Sequence, residues 1–151
     1  MNPTITVSDE ADAAAAQCLS DGLGAYNESK MGYVDRLPLQ VLVRDAGGAI
    51  LGGVIGRTSL GVLTIEKVYL PEAQRGCDIG TRMMGMAEDE ARRRGCRAGV
   101  VDTISFQAPG FYLRLGWRIL GEVPCGPEGV ARIYLTKDFN EDGAGPPSRH
   151  Q

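Results

Sequence analysis

The sequence predicts an α+β fold with a mixed central sheet and helices on both faces. Three strand-like segments follow one another between residues 39 and 70, separated by glycine-containing turns. A helical pattern covers residues 79–94, and the chain then alternates strand, helix, strand and strand up to residue 137. The chain has 151 residues, 43% of them hydrophobic, which is enough to bury the core of one domain. We therefore expect a single domain over residues 1–139.

The N-terminal segment is predicted to begin with a helix. Ser8 can cap this helix, and Asp9 and Glu10 would lie in its first turn, where the helix dipole favours acids. An alanine-rich run follows, and the helix is expected to end near Gly22. Residues 24–37 are polar and mixed, which indicates a short helix and a loop.

An antiparallel meander is predicted next, with strands at residues 39–44, 49–58 and 62–70. The first turn of the meander is Asp45-Ala46-Gly47-Gly48, which combines residues that favour tight turns. Pro71 ends the third strand because proline cannot donate a ladder hydrogen bond.

The second half of the chain is predicted to contain two helices and three strands. Apolar residues recur at helical spacing from residue 79 to 94, and Gly95 suits the C-terminal end of that helix. The predicted apolar stripe consists of Ile79, Met83, Met86, Ala87 and Ala91. Further elements are expected at residues 98–103, 108–115, 118–123 and 131–137. The polar, Pro/Gly-rich residues 140–151 predict a disordered tail.

Composition argues against several classes of protein. The formal net charge of −3 argues against a nucleic-acid partner, because such binders usually carry a basic surplus. No apolar run reaches the roughly 18 residues of a membrane helix, and the N-terminus lacks the pattern of a secretory signal. The four cysteines are irregularly spaced and the only histidine is His150, so no Cys/His metal site is expected. We expect a cytoplasmic protein with reduced thiols, without a membrane partner.

The segment from residue 68 to residue 81 is predicted to run from a strand through a turn into a helix. The first N–H groups of a helix have no internal acceptor and carry the positive end of its dipole, which favours a phosphate. Gly76 and Gly80 let the backbone approach an anion closely, and Thr81 adds a hydroxyl. An ordinary glycine-containing loop without a ligand fits this pattern equally well.

Two motifs resemble the GNAT family of N-acetyltransferases. Arg75-Gly76-Cys77-Asp78-Ile79-Gly80 resembles the family signature Arg/Gln-x-x-Gly-x-Gly/Ala, although Asp78 stands where the signature has its central glycine. Residues 108–117 resemble the downstream segment A-x-x-x-Y-x-x-x-G-[FYW]. The resemblance covers roughly residues 20–139 and implies the GNAT fold and acetyl-CoA as cosubstrate. It also implies a homodimer and direct acetyl transfer to a primary amine of a small molecule or peptide.

The same resemblance implies where acetyl-CoA binds. The pantetheine arm would pair with a strand that separates from its neighbour, as if the ligand were an added strand. This strand segment contains Val68, Tyr69 and Leu70. The pyrophosphate would lie on Arg75, Gly76, Cys77, Asp78, Gly80 and Thr81.

Candidate catalytic residues also follow from the resemblance. Tyr112 matches the family tyrosine that protonates the leaving thiolate, and a tyrosine that only packs its helix is the alternative. Glu66 is the candidate base, directly or through water; the alternative is a solvated strand residue paired with Lys67 or another neighbour. Asp102 is the other candidate for the base, and it is also predicted to bind the acceptor. Tyr26 and Asn27 would line the acceptor pocket from a loop, and a catalytically idle acyl-CoA-binding module remains the alternative function.

Overall fold

The structure is a computed structural model that describes residues 2–141, and the chain divides into two compact units between Val34 and Asp35. The predicted tail lies outside the described residues from residue 142 onward. The last described residues, Phe139–Glu141, form a short 3₁₀ turn.

The first unit contains one helix, α1 (Ala13–Met31). The Asp12 side chain caps α1 by accepting a hydrogen bond of 3.0 Å from the Ala15 N–H. Gly32 ends the helix with a φ of 86°, and its N–H donates to the Glu28 carbonyl.

The predicted bounds of this helix were wrong at both ends. The Ser8 hydroxyl instead accepts from the Glu10 N–H, which makes a local turn before the helix. Gly22 and Gly24 lie inside α1. A helix-interior glycine costs only about 1 kcal/mol, so it does not end a helix unless the backbone also turns left-handed there.

The second unit contains a six-stranded mixed sheet, which confirms the predicted α+β class. Its strands are β1 (Leu37–Arg44), β2 (Ile50–Ser59), β3 (Val62–Tyr69), β4 (Ala98–Ile104), β5 (Arg118–Cys125) and β6 (Val130–Asp138). Their order is β1-β2-β3-β4-β6-β5, and every neighbouring pair is antiparallel except β3 and β4. The predicted meander is therefore confirmed, and each predicted strand end lies within two residues of the observed one.

Two helices belong to this unit, α2 (Ile79–Arg93) and α3 (Pro109–Arg114). The helix α2 packs on β1, β2 and β3. Gly95 follows the end of α2 with a φ of 88°, so the predicted glycine stop is confirmed.

The predicted apolar stripe of α2 was wrong at one position. Met86 is 60% exposed, whereas Met84 is fully buried. The buried face of α2 is defined by Met84, Ala87 and Ala91, and Met86 lies on the far side of the helix from its centre. Spacing alone predicted a stripe shifted by about one position around the helix.

Candidate active site

The two parallel strands at the centre of the sheet pair over only part of their length. Val62 pairs with Ala98, Leu63 with Gly99, and Thr64 with Val100. Both strands continue beyond these pairs, β3 to Tyr69 and β4 to Ile104, without pairing to each other. Because a strand needs a partner for its N–H and C=O groups, this separation leaves one edge of β3 open to a ligand.

A β-bulge lies where β3 leaves β4. On the other side of β3, Ile65 pairs with Gly56 of β2 and Lys67 pairs with Ile55, so Glu66 has no partner residue across the ladder. A bulge of this kind bends the strand and re-aims the side chain of the extra residue. Glu66 lines the cleft that the two strands form.

The loop after β3 leads to the N-terminus of α2. The Arg75 Nε donates to the Leu70 carbonyl at 2.8 Å and so ties the loop to the end of the strand. The first hydrogen bond of α2 runs from the Arg82 N–H to the Asp78 carbonyl. The N–H groups that precede Arg82 in the first turn therefore have no acceptor within the helix and can bind an anion.

Two residues of this loop have left-handed backbone conformations. Gly76 has a φ of 82°, and Asp78, the N-cap of α2, has a φ of 62°. The Asp78 side chain makes no capping hydrogen bond. The carboxylate therefore does not organise the start of the helix, and the backbone at this position has the conformation that glycine adopts most easily.

One cavity of about 1000 Å³ joins the cleft, the loop and α3. Its lining includes most of the predicted site residues. These are Glu66, Val68, Tyr69, Leu70, Arg75, Gly76, Asp78, Gly80, Thr81, Asp102 and Tyr112.

Three predicted site residues are not in the cavity lining. Cys77 is exposed, and its thiol donates to the Gln74 carbonyl at 3.2 Å. Tyr26 and Asn27 lie in α1, in the other unit of the chain, so the expectation that they belong to a loop was wrong. The reason is the continuation of α1 past Gly22.

Tyr112 is the buried titratable group of the cavity. It is 5% exposed, and its ring packs edge-on against Phe111 and Trp117 with centroid distances of 5.2 and 6.1 Å. Within residues 2–141 no side chain hydrogen-bonds its hydroxyl. Burial raises the pKa of Tyr112 to about 12, and the nearby Asp102 charge adds to this shift. The phenol is therefore protonated throughout the neutral and mildly alkaline range.

Each of the two cleft carboxylates is held by an arginine. Glu66 Oε2 lies 2.6 Å from Arg57 Nη1, so Glu66 is paired with a neighbour, as the alternative allowed, and that neighbour is Arg57 and not Lys67. Asp102 Oδ2 lies 2.6 Å from Arg132 Nη1. Both pairs are partly exposed, which limits the free energy that they contribute.

Sequence reasoning missed several residues of the cavity wall. The Gln107 amide oxygen accepts from the Thr103 hydroxyl at 2.9 Å and from the Ile104 N–H at 3.0 Å, which closes the end of β4. The position of Gln107 just after a predicted strand could have indicated, from the sequence, that it belongs to the cavity wall. Arg132 comes beside Asp102 only through the pairing of β4 with β6, a long-range register that the sequence does not reveal. Other missed wall residues include Lys67, Phe106, Phe111 and Arg114.

The whole constellation fits one family of enzymes. Over residues 12–117 the chain matches the acetyltransferase (GNAT) family. The protein belongs to this family. Within residues 2–141 of this GNAT protein, no helix is long and apolar enough to span a membrane.

Curated relatives of the GNAT protein include two acetyltransferases. An acetyltransferase of Agrobacterium fabrum is 35% identical over 133 residues, which cover 88% of this chain and 97% of the relative. The blasticidin-S acetyltransferase of Streptomyces morookaense is 35% identical over 93 residues, which cover 61% of this chain and 68% of the relative.

Solved structures agree with this assignment. A crystal structure of a protein from Agrobacterium tumefaciens, assigned as an acetyltransferase, superposes with a TM-score of 0.78 at 34% identity. It covers 91% of this chain and all of that one. An acetyltransferase from Bacillus cereus superposes with a TM-score of 0.71 at 26% identity, covering 88% of this chain and 97% of that one.

This GNAT protein is therefore an acetyltransferase that uses acetyl-CoA. The residues present fit that cosubstrate on two counts. The open edge of β3 offers backbone groups to an extended chain, and the first turn of α2 offers unpaired N–H groups to a pyrophosphate.

Proposed function

We propose that the protein transfers the acetyl group to a primary amine of a small molecule or peptide by direct attack of the amine. Tyr112 acts as the general acid, and Glu66 acts as the general base, directly or through a water molecule. The observation that carries the proposal is Tyr112, a buried phenol with a pKa of about 12 and no side-chain hydrogen-bond partner among residues 2–141, in the same cavity as the Glu66 carboxylate.

The cosubstrate is bound, in this proposal, along the strand edge and the loop identified above. Acetyl-CoA supplies an acetyl thioester that an amine can attack. The backbone of residues 68–70 holds the extended arm, and the loop from Arg75 to Thr81 holds the pyrophosphate through N–H groups and the Arg75 guanidinium. Cys77 contributes only its backbone, because its thiol is bonded to Gln74 outside the cavity lining.

The proton chemistry is divided between two ends of the cleft. Tyr112 holds the proton that the departing thiolate needs, and its burial keeps that proton in place at neutral pH. Glu66 is aimed into the cleft by the bulge and can accept a proton from the ammonium of the acceptor, which leaves the free amine that attacks the thioester. Asp102 is the rival base, and its position on β4 opposite Glu66 also suits binding of a cationic acceptor.

The preferred acceptors are amine-bearing antibiotics. The support is the name of one relative, a blasticidin-S acetyltransferase that is 35% identical over 93 residues. Two carboxylates in one cleft suit an ammonium group, although each already has an arginine partner. Several expectations stay predictions. They are peptide amines as acceptors, acceptor contacts at Tyr26 and Asn27, a homodimer, a single domain over residues 1–139 and a cytoplasmic location.

An idle acyl-CoA-binding module is the second candidate, favoured by the acidic Asp78 at the mouth of the anion site. Release of free CoA thiol separates the two functions. The purified protein is mixed with acetyl-CoA and a panel that contains blasticidin S, a polyamine, an amino acid and a peptide. Amine-dependent thiol release that is lost in Tyr112→Phe supports the enzyme. Saturable binding of acetyl-CoA without thiol release for any amine supports the module.

A further inference from the structure

A buried ionic network lies outside the cavity. At its centre is Glu88 of α2, which is 5% exposed. Glu88 Oε2 accepts from Trp117 Nε1 at 3.1 Å, and Oε1 accepts from Lys137 Nζ at 2.8 Å and lies 3.7 Å from Arg92 Nη2. Burying a carboxylate is costly even when it is paired, and an apolar residue is often as stable at such a site. The network therefore suggests a role in fixing a particular geometry.

Two of the three partners of Glu88, Trp117 and Lys137, lead to the helix that carries Tyr112. Lys137 Nζ also donates to the carbonyl of Leu115, the C-terminal residue that caps α3, at 2.7 Å. The backbone N–H of Trp117 donates to the carbonyl of Tyr112 itself at 3.0 Å. Two separate routes thus connect one carboxylate to the end of α3.

The Trp117 ring can link Glu88 to Tyr112 because contacts on several sides hold the ring in one orientation. The residue is 2% exposed, and its ring packs edge-on against Tyr112 on one side. On another side it lies against the backbone of Gly99, where an added Cβ would be 2.8 Å from the ring. The Glu88 hydrogen bond fixes the remaining polar edge of the indole.

The helix α3 is held in place by tertiary contacts. It has six residues, and a helix this short is not stable on its own. Its partner α2 also carries the anion-binding loop at its own N-terminus. A link between the two helices therefore sets the distance between the CoA loop and the Tyr112 hydroxyl.

We propose that Glu88 is a positioning residue for Tyr112, acting through Trp117 and Lys137. The inference rests on the proposed acid role of Tyr112 for its effect on rate, but the positioning itself is a separate, measurable property. Loss of the network should leave acetyl-CoA binding intact, because Glu88 contacts no residue of the anion loop among those described, and should allow α3 to move.

The first experiment observes Tyr112 directly. The protein is labelled with 3-fluorotyrosine, and the Tyr112 resonance is identified by its loss in Tyr112→Phe. Glu88→Gln and Lys137→Met both remove the ion pair while leaving Trp117 in place. We expect the Tyr112 resonance to broaden or split in both variants and to stay unchanged in Arg93→Gln, a control that removes an exposed ion pair from the same helix as Glu88. If Glu88→Gln does not fold, Lys137→Met carries the same test. An unchanged Tyr112 resonance in the folded variants would overturn the proposal.

The second experiment tests the kinetic consequence. With the best amine from the panel, Glu88→Gln should lower kcat by about 10- to 100-fold and leave the KM for acetyl-CoA within about twofold. In the Tyr112→Phe background Glu88→Gln should cost nothing further, because the group it positions is already absent. An equal loss in both backgrounds would show a merely structural role and overturn the proposal. Full activity of Tyr112→Phe alone would instead overturn the acid role, and the fluorine spectra would still decide the positioning.

Discussion

Gly80 and Phe111 touch across the wall of the cavity. A Cβ built on Gly80 would lie 3.1 Å from Cε1 of Phe111, closer than most real contacts of this kind. Gly80 lies in the first turn of α2 and Phe111 lies next to Tyr112 in α3. The absence of a side chain at residue 80 therefore lets the two helices approach each other where the anion loop begins.

The first prediction concerns this loop. Arg75→Ala combined with Gly80→Asp should weaken acetyl-CoA binding, because one change removes a donor and the other places a carboxylate beside Phe111 and the anion site. At 100 times its dissociation constant, acetyl-CoA should stabilise the parent protein by about 2.7 kcal/mol. A tenfold loss of affinity would reduce this to about 1.4 kcal/mol. Thermal shift and calorimetric titration measure both quantities.

Arg118→Ala combined with Gly121→Asp is the matched control, because both changes lie on β5 outside the cavity lining. Equal affinities in the two double variants would show that acetyl-CoA binds elsewhere.

Asp78→Gly should leave acetyl-CoA binding equal or slightly tighter. The Asp78 side chain caps nothing, and its φ of 62° suits glycine, so the change removes strain and a negative charge beside the pyrophosphate site. Relief of the left-handed strain should raise the free energy of unfolding by about 1 kcal/mol. Titration of both proteins at low and high salt is the measurement, since salt screens the repulsion. A large loss of affinity would show that the carboxylate organises the loop.

Tyr112→Phe should lower kcat by a factor of about 100 to 10,000, the usual value of a general acid. The KM for acetyl-CoA should change little, because the proton moves in the transition state. The ring contacts with Phe111 and Trp117 are retained, so the melting temperature should be nearly unchanged. Steady-state kinetics beside a melting curve make the comparison, and near-normal kcat would mean that another group protonates the thiolate.

The pKa of Tyr112 also predicts a dependence of stability on pH. An unfolded tyrosine ionises near pH 10, whereas the folded Tyr112 holds its proton up to about pH 12. Between these values unfolding releases a proton, so the free energy of unfolding falls as pH rises, by up to about 3 kcal/mol. Denaturant unfolding at pH 9, 10 and 11 should show a steeper decline in the parent than in Tyr112→Phe. If the free energy of unfolding fell equally with pH in both proteins, the Tyr112 hydroxyl would be solvent-exposed and not buried.

A further prediction separates the two candidate bases. Glu66→Gln should lower kcat/KM for the amine by about 100-fold or more, since it removes the carboxylate that the bulge aims into the cleft. Asp102→Asn should mainly raise the KM of a cationic acceptor. Measurement of both variants across pH 6–9 with one amine distinguishes them. If Asp102→Asn caused the larger loss of kcat, the roles would have to be exchanged.

The sequence predicted the elements of the second unit well for a physical reason. Its strands and helices are amphipathic, and their alternation of apolar and polar residues is set by the same core that the structure contains. In α1 the N-cap is Asp12, four residues after the predicted cap Ser8, and Gly22 lies inside the helix whose end it was predicted to mark. The two motifs contain eight of the 22 residues that line the cavity.

Features that depend on long-range pairing could not be predicted. Strand register brings Asp102 and Arg132 together, although they are 30 positions apart. Helix packing brings Glu88 to Lys137, 49 positions away. The bulge at Glu66 did leave a local signal. Leu63 and Ile65 are buried and the next buried residue is Leu70, a break in the two-residue alternation.

This break means that one strand both packs on the core and places Glu66 in the cleft. The spacing from Ile65 to Leu70 is odd, so one residue has been added to an otherwise regular alternation, and the unpaired residue is Glu66. A chain without it would keep Leu63, Ile65 and Leu70 on the core side and would pair with β2 without interruption. The core of β3 is thus complete without Glu66, and the sheet could lose the Glu66 carboxylate while its hydrophobic interior stayed as it is.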